Sequence, residues 1–201
     1  MPTWDERFRR GEYPTDPDPH PVLERYLPTF PDGRALDVAT GTGRNAVRLA
    51  EAGYHVDAVD QSREGLTITR RNARAAGVAD RVSPIQADIP TYTFPEATYA
   101  VVTVSFYRVV DRLPDVVDSL VEGGCLFVQH HLRTTDDVDG GPSTDRYRFA
   151  ANELLRAGLG LTVLHYDERT NSDGGTRTAT AQLVARNSTG QRQSYPDIGP
   201  R

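Results

Sequence analysis

Ala35–Ala50, ALDVATGTGRNAVRLA, and the stretch that follows it at Val56–Ser62, VDAVDQS, decide the reading of this chain. A short apolar run ends in an acid, Asp37. A turn follows through Ala39, Thr40, Gly41, Thr42 and Gly43, and then a helical pattern. A second apolar run ends in another acid, Asp60. Gly41 and Gly43 lack a Cβ, so the chain can bend sharply there and let a ligand approach its backbone. This order predicts a strand, a tight turn, a helix and a second strand, with a carboxylate where a ribose would sit. Such a unit builds a pocket for a nucleoside-containing cofactor.

The same alternation continues outward. Pro21–Leu27 reads as a short helix, Ala35–Val38 as the first strand and Asn45–Ala52 as a helix stopped by Gly53. His55–Val59 is the second strand. Ser62 is a good N-cap for a helix running to about Ala76, with Glu64 in its first turn. Val82–Gln86 is a third strand closing on Asp88. Tyr99–Val104, YAVVTV, is a β-branched run suited to a parallel strand buried on both faces. A helix is expected over Pro114–Val121, ending at Gly123-Gly124, and a fifth strand over Cys125–His130. Asp136–Gly141 reads as a loop and Thr144–Ala157 as an amphipathic helix. Leu161–Tyr166 and Thr178–Ala185 read as two strands around the turn sequence NSDGG. Strand–helix alternation implies a doubly wound α/β fold with a mostly parallel sheet, here finished by an antiparallel C-terminal hairpin. The expected organisation is an N-terminal segment over 1–20, one domain over 21–186 and a flexible tail over 187–201.

Bulk properties narrow the partners. The 201 residues suit one domain with a real core. A net charge of -5 argues against a nucleic-acid partner held by a broad basic surface. No apolar run approaches membrane-spanning length, and MPTWDERFRR has no apolar signal core, so no membrane partner is expected. The single Cys125 allows neither an intrachain disulfide nor a thiolate zinc cluster. A cytoplasmic setting without a metal site is the expectation. All 23 basic residues counted as Lys+Arg are Arg, which removes any lysine-based Schiff base or phosphate clamp.

Three acids carry the pocket. Asp60 can accept hydrogen bonds from both ribose hydroxyls. Its alternative role as a helix cap is one that Ser62 can fill instead. Gln61 would lie along the same edge. Asp88, in QADIP, can accept from an exocyclic adenine amine or can simply hold the turn before Pro90. Asp37 stands before the loop and suits a cationic ligand better than a pyrophosphate. The loop also lacks the third glycine of a dinucleotide-binding G-x-G-x-x-G, which counts against a dinucleotide oxidoreductase.

These residues resemble the class I S-adenosylmethionine-dependent methyltransferases. ALDVATGTGRN is similar to their first motif, VDAVDQS to their acidic second-strand motif and QADIP to their third-strand motif. The resemblance spans roughly residues 35–185. It implies a Rossmann-like, seven-stranded sheet whose last strand is antiparallel, with S-adenosylmethionine as cofactor. One departure is Ala39, where the family usually has Gly, which tightens the backbone approach to the ligand. WDERF at Trp4–Phe8 and the Arg44-Asn45 pair resemble the tellurite-resistance and thiopurine methyltransferase-like branch. That branch implies an aromatic N-terminal lid, here Trp4 and Phe8, over a sulfonium that aromatic faces attract. Arg7 would then pair with the cofactor's carboxylate. The alternative for Trp4 is that it pins the N-terminus to the core. Under the resemblance the cofactor-binding set is Trp4, Arg7, Phe8, Asp37, Ala39, Thr40, Gly41, Gly43, Arg44, Asn45, Asp60, Gln61, Asp88, Ile89 and Ser105.

The acceptor would approach after the fourth strand, at Ser105-Phe106-Tyr107-Arg108. Methyltransferases acting on amino groups of nucleic acid or peptides often carry Asn/Asp-Pro-Pro-aromatic there; SFYR argues instead for a small-molecule acceptor. Tyr107 lines that pocket or the core. Arg108 holds an anionic substrate or pairs with Asp111 or Asp115. His130 and His131 point to opposite faces of their strand and make a poor joint metal site. His131 or His130 could face the acceptor as a base, His131 being the one placed in the acceptor pocket, with a packed or surface histidine as the alternative. The expected activity is methyl transfer to a small molecule, a thiol or chalcogen species. The alternatives are an O- or N-methyltransferase of a small metabolite and a non-catalytic nucleotide-binding domain.

Overall fold

The computed structural model describes residues 3–173, 175–188, 190 and 192–199. Met1, Pro2, Gly174 of the NSDGG turn, and Thr189, Gln191, Pro200 and Arg201 of the expected tail lie outside the described residues.

The strands are β1 (Arg34–Val38), β2 (His55–Asp60), β3 (Val82–Gln86), β4 (Tyr99–Ser105), β5 (Leu120–His131), β6 (Thr162–Asp173) and β7 (Thr176–Arg186). They form one seven-stranded sheet in the order β3-β2-β1-β4-β5-β7-β6. The β1–β2, β1–β4, β2–β3 and β4–β5 pairs are parallel, and β7 runs antiparallel to both β5 and β6. The order reverses at β1 and β4, so the carboxyl ends of those strands frame the crevice where such sheets bind ligands.

The helices are α1 (Trp4–Arg9), α2 (Pro21–Tyr26), α3 (Arg44–Glu51), α4 (Arg63–Ala75), α5 (Leu113–Asp118) and α6 (Glu153–Ala157). Alternate residues of the buried strands feed two cores. Leu36, Val102, Leu126 and Val128 join one with Phe149 and Leu154. Ala35, Val101 and Phe127 join the other with Leu23 and Leu49 of α2 and α3. A period of two along each strand therefore buries both faces, which explains why β4 reads as an unbroken apolar run.

Several expected boundaries are corrected. The helix expected to reach Val121 stops at Asp118, and β5 begins at Leu120 rather than Cys125. The Gly123-Gly124 pair does not end a helix; it sits inside β5, where the register to β4 shifts between Tyr99 and Val101. A Cβ on Gly124 would lie 2.9 Å from the Val121 carbonyl and 3.0 Å from the Tyr99 carbonyl, so only glycine lets the strands meet there. The helix expected over Thr144–Ala157 is replaced by a turn at Asp145–Tyr147, an extended Phe149 and the short α6. Phe149 gives its N–H to the His131 carbonyl, and its own carbonyl accepts from Arg133. Asn152 then takes a left-handed conformation (φ 59°), which bars a continuous helix. The first hairpin strand runs past its expected end at Tyr166 to Asp173, and the second starts at Thr176 rather than Thr178, because the pairing of β6 with β7 continues to Asp173 and Thr176. In the expected tail, Ile198 packs on the second core and Arg25 donates to the Ile198 and Gly199 carbonyls.

Asn152 gives a direct check on the corrected segment. Asn152→Gly is expected to be neutral or to stabilise by up to about 1 kcal/mol, whereas Asn152→Val costs about 1–2 kcal/mol. Urea denaturation of the two variants measures this; equal midpoints would restore a helix through residue 152.

Candidate functional site

The site is built from the ends of β1, β2 and β4 and the turn after β1. Asp37, the fourth residue of β1, is buried at 2% exposure. Its carboxylate accepts from Thr40 Oγ1 at 2.6 Å and Thr103 Oγ1 at 2.7 Å, and more distantly from Asn45 Nδ2 at 3.4 Å. Burial raises its pKa to about 6 against the opposing pull of these hydrogen bonds. Asn45 also donates to Ser105 Oγ at 2.9 Å, which ties α3 to the end of β4. Among the described residues its buried Oδ1 has no hydrogen-bond partner.

The turn is braced from outside itself. Asp60 Oδ2 accepts from the Gly41 N–H and Oδ1 from the Ser62 N–H, each at 2.8 Å. Burial raises the Asp60 pKa, and these two N–H groups oppose the shift. On the other side Thr69 Oγ1 donates to the Gly41 carbonyl and Asn72 Nδ2 to the Thr42 carbonyl. Gly43 has φ +87°, and a Cβ there would lie 2.8 Å from Thr69 Cγ2. Gly43 thus serves the close approach of α3 to α4. Ala39, standing where the resemblance expects Gly, is itself left-handed at φ 55°. Thr40 is buried in the same turn.

Ser62 does cap α4, accepting from the Gly65 N–H at 3.0 Å, yet Asp60 also bonds the Ser62 N–H, so both share that end. Asp5 reaches the same place from α1, accepting from Ser62 Oγ at 2.5 Å and from the Glu64 N–H at 3.1 Å. Phe8 rests in the notch of two glycines: a Cβ on Gly41 would lie 3.4 Å and one on Gly65 3.1 Å from its ring. Trp4, Phe8 and Tyr13 form a ring cluster with centroids 5.5–6.1 Å apart. Arg7 lies over Trp4 and Tyr13 and pairs with Glu12 at 2.9 Å, so its charge is already engaged within the segment. Gln61 and Asp88 are exposed at the rim, and Ile89 is buried beneath it.

The other half of the crevice lies past β4 and β5. Phe106 has φ 58° and is 39% exposed. It meets His131 at 4.9 Å, stacked, and His20 at 5.4 Å, edge-on. Arg44 donates to His20 Nε2 at 3.0 Å and lies 5.8 Å from the Phe106 ring centroid. Arg108 pairs with Asp111 at 3.4 Å and with Glu153 of α6, so the expected Asp115 partner goes instead to Arg112. Tyr107 is half-buried against the first core, and burial followed by the Asp88 charge raises its pKa. Burial holds His130 and His131 each down to about 4 and His20 to about 3, with neighbouring guanidiniums adding to each effect. All three imidazoles are neutral at physiological pH.

Sequence reading brought together Asp37, Gly41, Asn45, Asp60 and Ser105. It missed Thr69, Asn72, Thr103, His20 and Glu153. Thr69 and Asn72 carry a weak signal, being polar positions three apart on the buried side of α4; His20 has none, because its partners are far along the chain.

Comparison with known proteins bears on what this crevice is. Residues 35–122 match the family described as a methyltransferase domain. The chain has the class I S-adenosylmethionine-dependent methyltransferase fold. TehB from Haemophilus influenzae superposes with a TM-score of 0.74 over 92% of this chain and 68% of that chain, at 19% identity. A ribosomal protein L11 methyltransferase of Desulfitobacterium hafniense is 30% identical over 112 residues, 55% of this chain and 36% of the relative. A probable cobalt-precorrin-6B C(15)-methyltransferase (decarboxylating) of Methanothermobacter thermautotrophicus is 29% identical over 156 residues, 75% of each chain. The chain spans about a third of the length of the first two curated relatives it matches. The rim fits the cofactor of this fold: Asp37, Asp60, Asp88 and the unpartnered Asn45 Oδ1 are all acceptors, and the cofactor offers an ammonium, a sulfonium, a ribose diol and an adenine amine. Among the described residues no cluster suits a metal ion, and no helix is long and apolar enough to cross a membrane.

Asp37 makes the site visible in stability. Its folded pKa is raised, so the native state binds a proton more tightly than the unfolded chain. Its contribution is fully present below about pH 4 and is lost as pH rises through about 6. Urea midpoints of Asp37→Asn across this window should fall less steeply with pH than those of the natural protein. Parallel slopes would place Asp37 in contact with water.

Proposed function

We propose that this chain is an S-adenosylmethionine-dependent methyltransferase acting on a small molecule, a thiol or chalcogen species. The observation that carries the reading is the set of carboxylates Asp37, Asp60 and Asp88 at the carboxyl ends of β1, β2 and β3, beside the point where the sheet order reverses. The methyltransferase-domain match over residues 35–122 supports it, as does the fold shared with TehB.

In this reading Asp60 receives the ribose hydroxyls on the oxygen lone pairs that Gly41 and Ser62 leave unused. Asn45 Oδ1 and Asp37 receive the ammonium end. Asp88, Gln61 and Ile89 frame the adenine, and Trp4 and Phe8 cover the bound ligand from α1. The cofactor supplies a methyl group already attached to a good leaving group. The protein's task is alignment and exclusion of water. Phe106, Tyr107, Arg108 and His131 line the acceptor side. An O- or N-methyltransferase of a small metabolite shares every cofactor contact and differs at those side chains.

Calorimetric titration with S-adenosylhomocysteine, with NAD as control, tests the cofactor. Micromolar binding of the former and none of the latter is expected; binding of neither favours a non-catalytic domain. Asp60→Ala should weaken S-adenosylhomocysteine by about 1–3 kcal/mol, roughly 5- to 150-fold. Unchanged affinity would remove the ribose from Asp60. Deleting residues 1–10 should leave the fold intact and weaken cofactor retention, because α1 adds no residue to the buried core. Unfolding on deletion would make Trp4 and Phe8 structural pins instead.

A further inference from the structure

Among the described residues the acceptor side holds three buried polar atoms without a hydrogen-bond partner, Nδ1 of His130, Nδ1 of His131 and Nε of Arg108, and two of them are chemically complementary with their tautomer or charge fixed. The first belongs to His130, at the carboxyl end of β5 and 2% exposed. Its Nε2 lies 2.5 Å from the carbonyl oxygen of Tyr147. A carbonyl only accepts, so Nε2 holds the ring proton. The ring is neutral, because burial, joined by the Arg108 and Arg148 charges, outweighs the opposing Tyr147 hydrogen bond and holds its pKa down to about 4. Nδ1 is therefore a bare lone pair. It is buried and, among the described residues, has no donor. The second atom is Nε of Arg108, just past the end of β4. Its N–H is buried with no acceptor among the described residues, while the terminal nitrogens hold Glu153 and Asp111. Buried polar groups left unmade in a native fold call for a partner that the protein meets in use.

One lone pair and one N–H, at the ends of adjacent parallel strands, are the complement of a single X–H group. We propose that His130 is a catalytic residue that takes the proton of a neutral thiol acceptor, with Arg108 Nε–H bonding the same sulfur. The inference rests on the methyltransferase reading and narrows it. In the step, the new C–S bond to the acceptor forms as the sulfonium's S–CH3 bond breaks and its electron pair stays on the departing sulfur. The thiol proton passes to His130 Nδ1 and then to water. A fully deprotonated chalcogen oxyanion has no proton to give and leaves the Nδ1 lone pair unsatisfied, so it is the poorer match. His131 also has a buried Nδ1 without a partner among the described residues, but its ring stacks on Phe106, its Nδ1 abuts Gly141, and no carbonyl among the described contacts fixes its tautomer as Tyr147 fixes that of His130.

Nitrogen-15 NMR of the imidazoles in the full chain tests this without turnover. In the free protein, His130 is expected with its proton on Nε2 and a bare Nδ1. In protein saturated with S-adenosylhomocysteine, ethanethiol should shift Nδ1 while Nε2 stays still. His130→Gln keeps an N–H for the Tyr147 carbonyl but has nothing in place of Nδ1. It should bind S-adenosylhomocysteine within about twofold of the natural protein and lose at least tenfold in ethanethiol affinity. A proton found on Nδ1 overturns the proposal, as does a thiol titration that leaves Nδ1 unmoved. A shift with phenol or ethylamine but not with ethanethiol overturns the thiol assignment. Failure to bind S-adenosylhomocysteine strikes the cofactor reading instead, and the free-protein tautomer still tests His130.

Discussion

The site depends on one short turn being held from both sides. Asp60 fixes the amide of Gly41, and Thr69 fixes its carbonyl. Released, that peptide could rotate, and α3 would start elsewhere. Asn45 would then lose its reach to both Asp37 and Ser105, and the ends of β1 and β4 would no longer share a hydrogen-bond network. The two glycines therefore divide their labour. Gly43 lets α3 and α4 close on each other at Thr69, while Gly41 presents a backbone whose two polar groups are already oriented. A turn held this way is set without a ligand, which lowers the ordering cost of binding.

The same geometry separates what the sequence reveals from what it hides. Strand ends were legible because a run of apolar residues closing on an acid is a local signal: Asp37, Asp60 and Asp88 could be placed at the sheet's carboxyl edge by pattern alone. The parallel order and the terminal hairpin followed from alternation and turn chemistry. Non-local pairing hid the rest. Gly123-Gly124 looks like a helix stop until β4 is seen lying against it. Residues 144–157 have a helical pattern, but Phe149 spends its backbone on His131 and Arg133, a choice made by the neighbouring strand end. His20 joins Arg44, Phe106 and Phe127 only because α2 packs beside α3 and over β5. The distinction between His130 and His131 is likewise invisible in sequence. The tautomer of His130 is fixed by a carbonyl seventeen positions later.

The crevice is electrostatically two-sided, and this orders the chemistry. One side concentrates carboxylates, with Asp37 buried and Asp60 nearly so. Burial makes their ionised forms costly, so a cation bound beside them would favour those forms. The other side carries neutral imidazoles beside guanidiniums whose charges are matched by Glu153 and Asp111 or spent on backbone carbonyls. In the proposed reading a cationic methyl donor is drawn to the first side, and a neutral, protic nucleophile suits the second. In the proposed step the proton released on transfer leaves through the second side, because it is the acceptor, bound there, that carries it. His130 is the group there with a lone pair and a fixed tautomer. Its low proton affinity means that it holds the proton only briefly before water takes it. That makes Glu153 consequential: by neutralising Arg108, it lowers the repulsion that a transient imidazolium would meet beside a guanidinium.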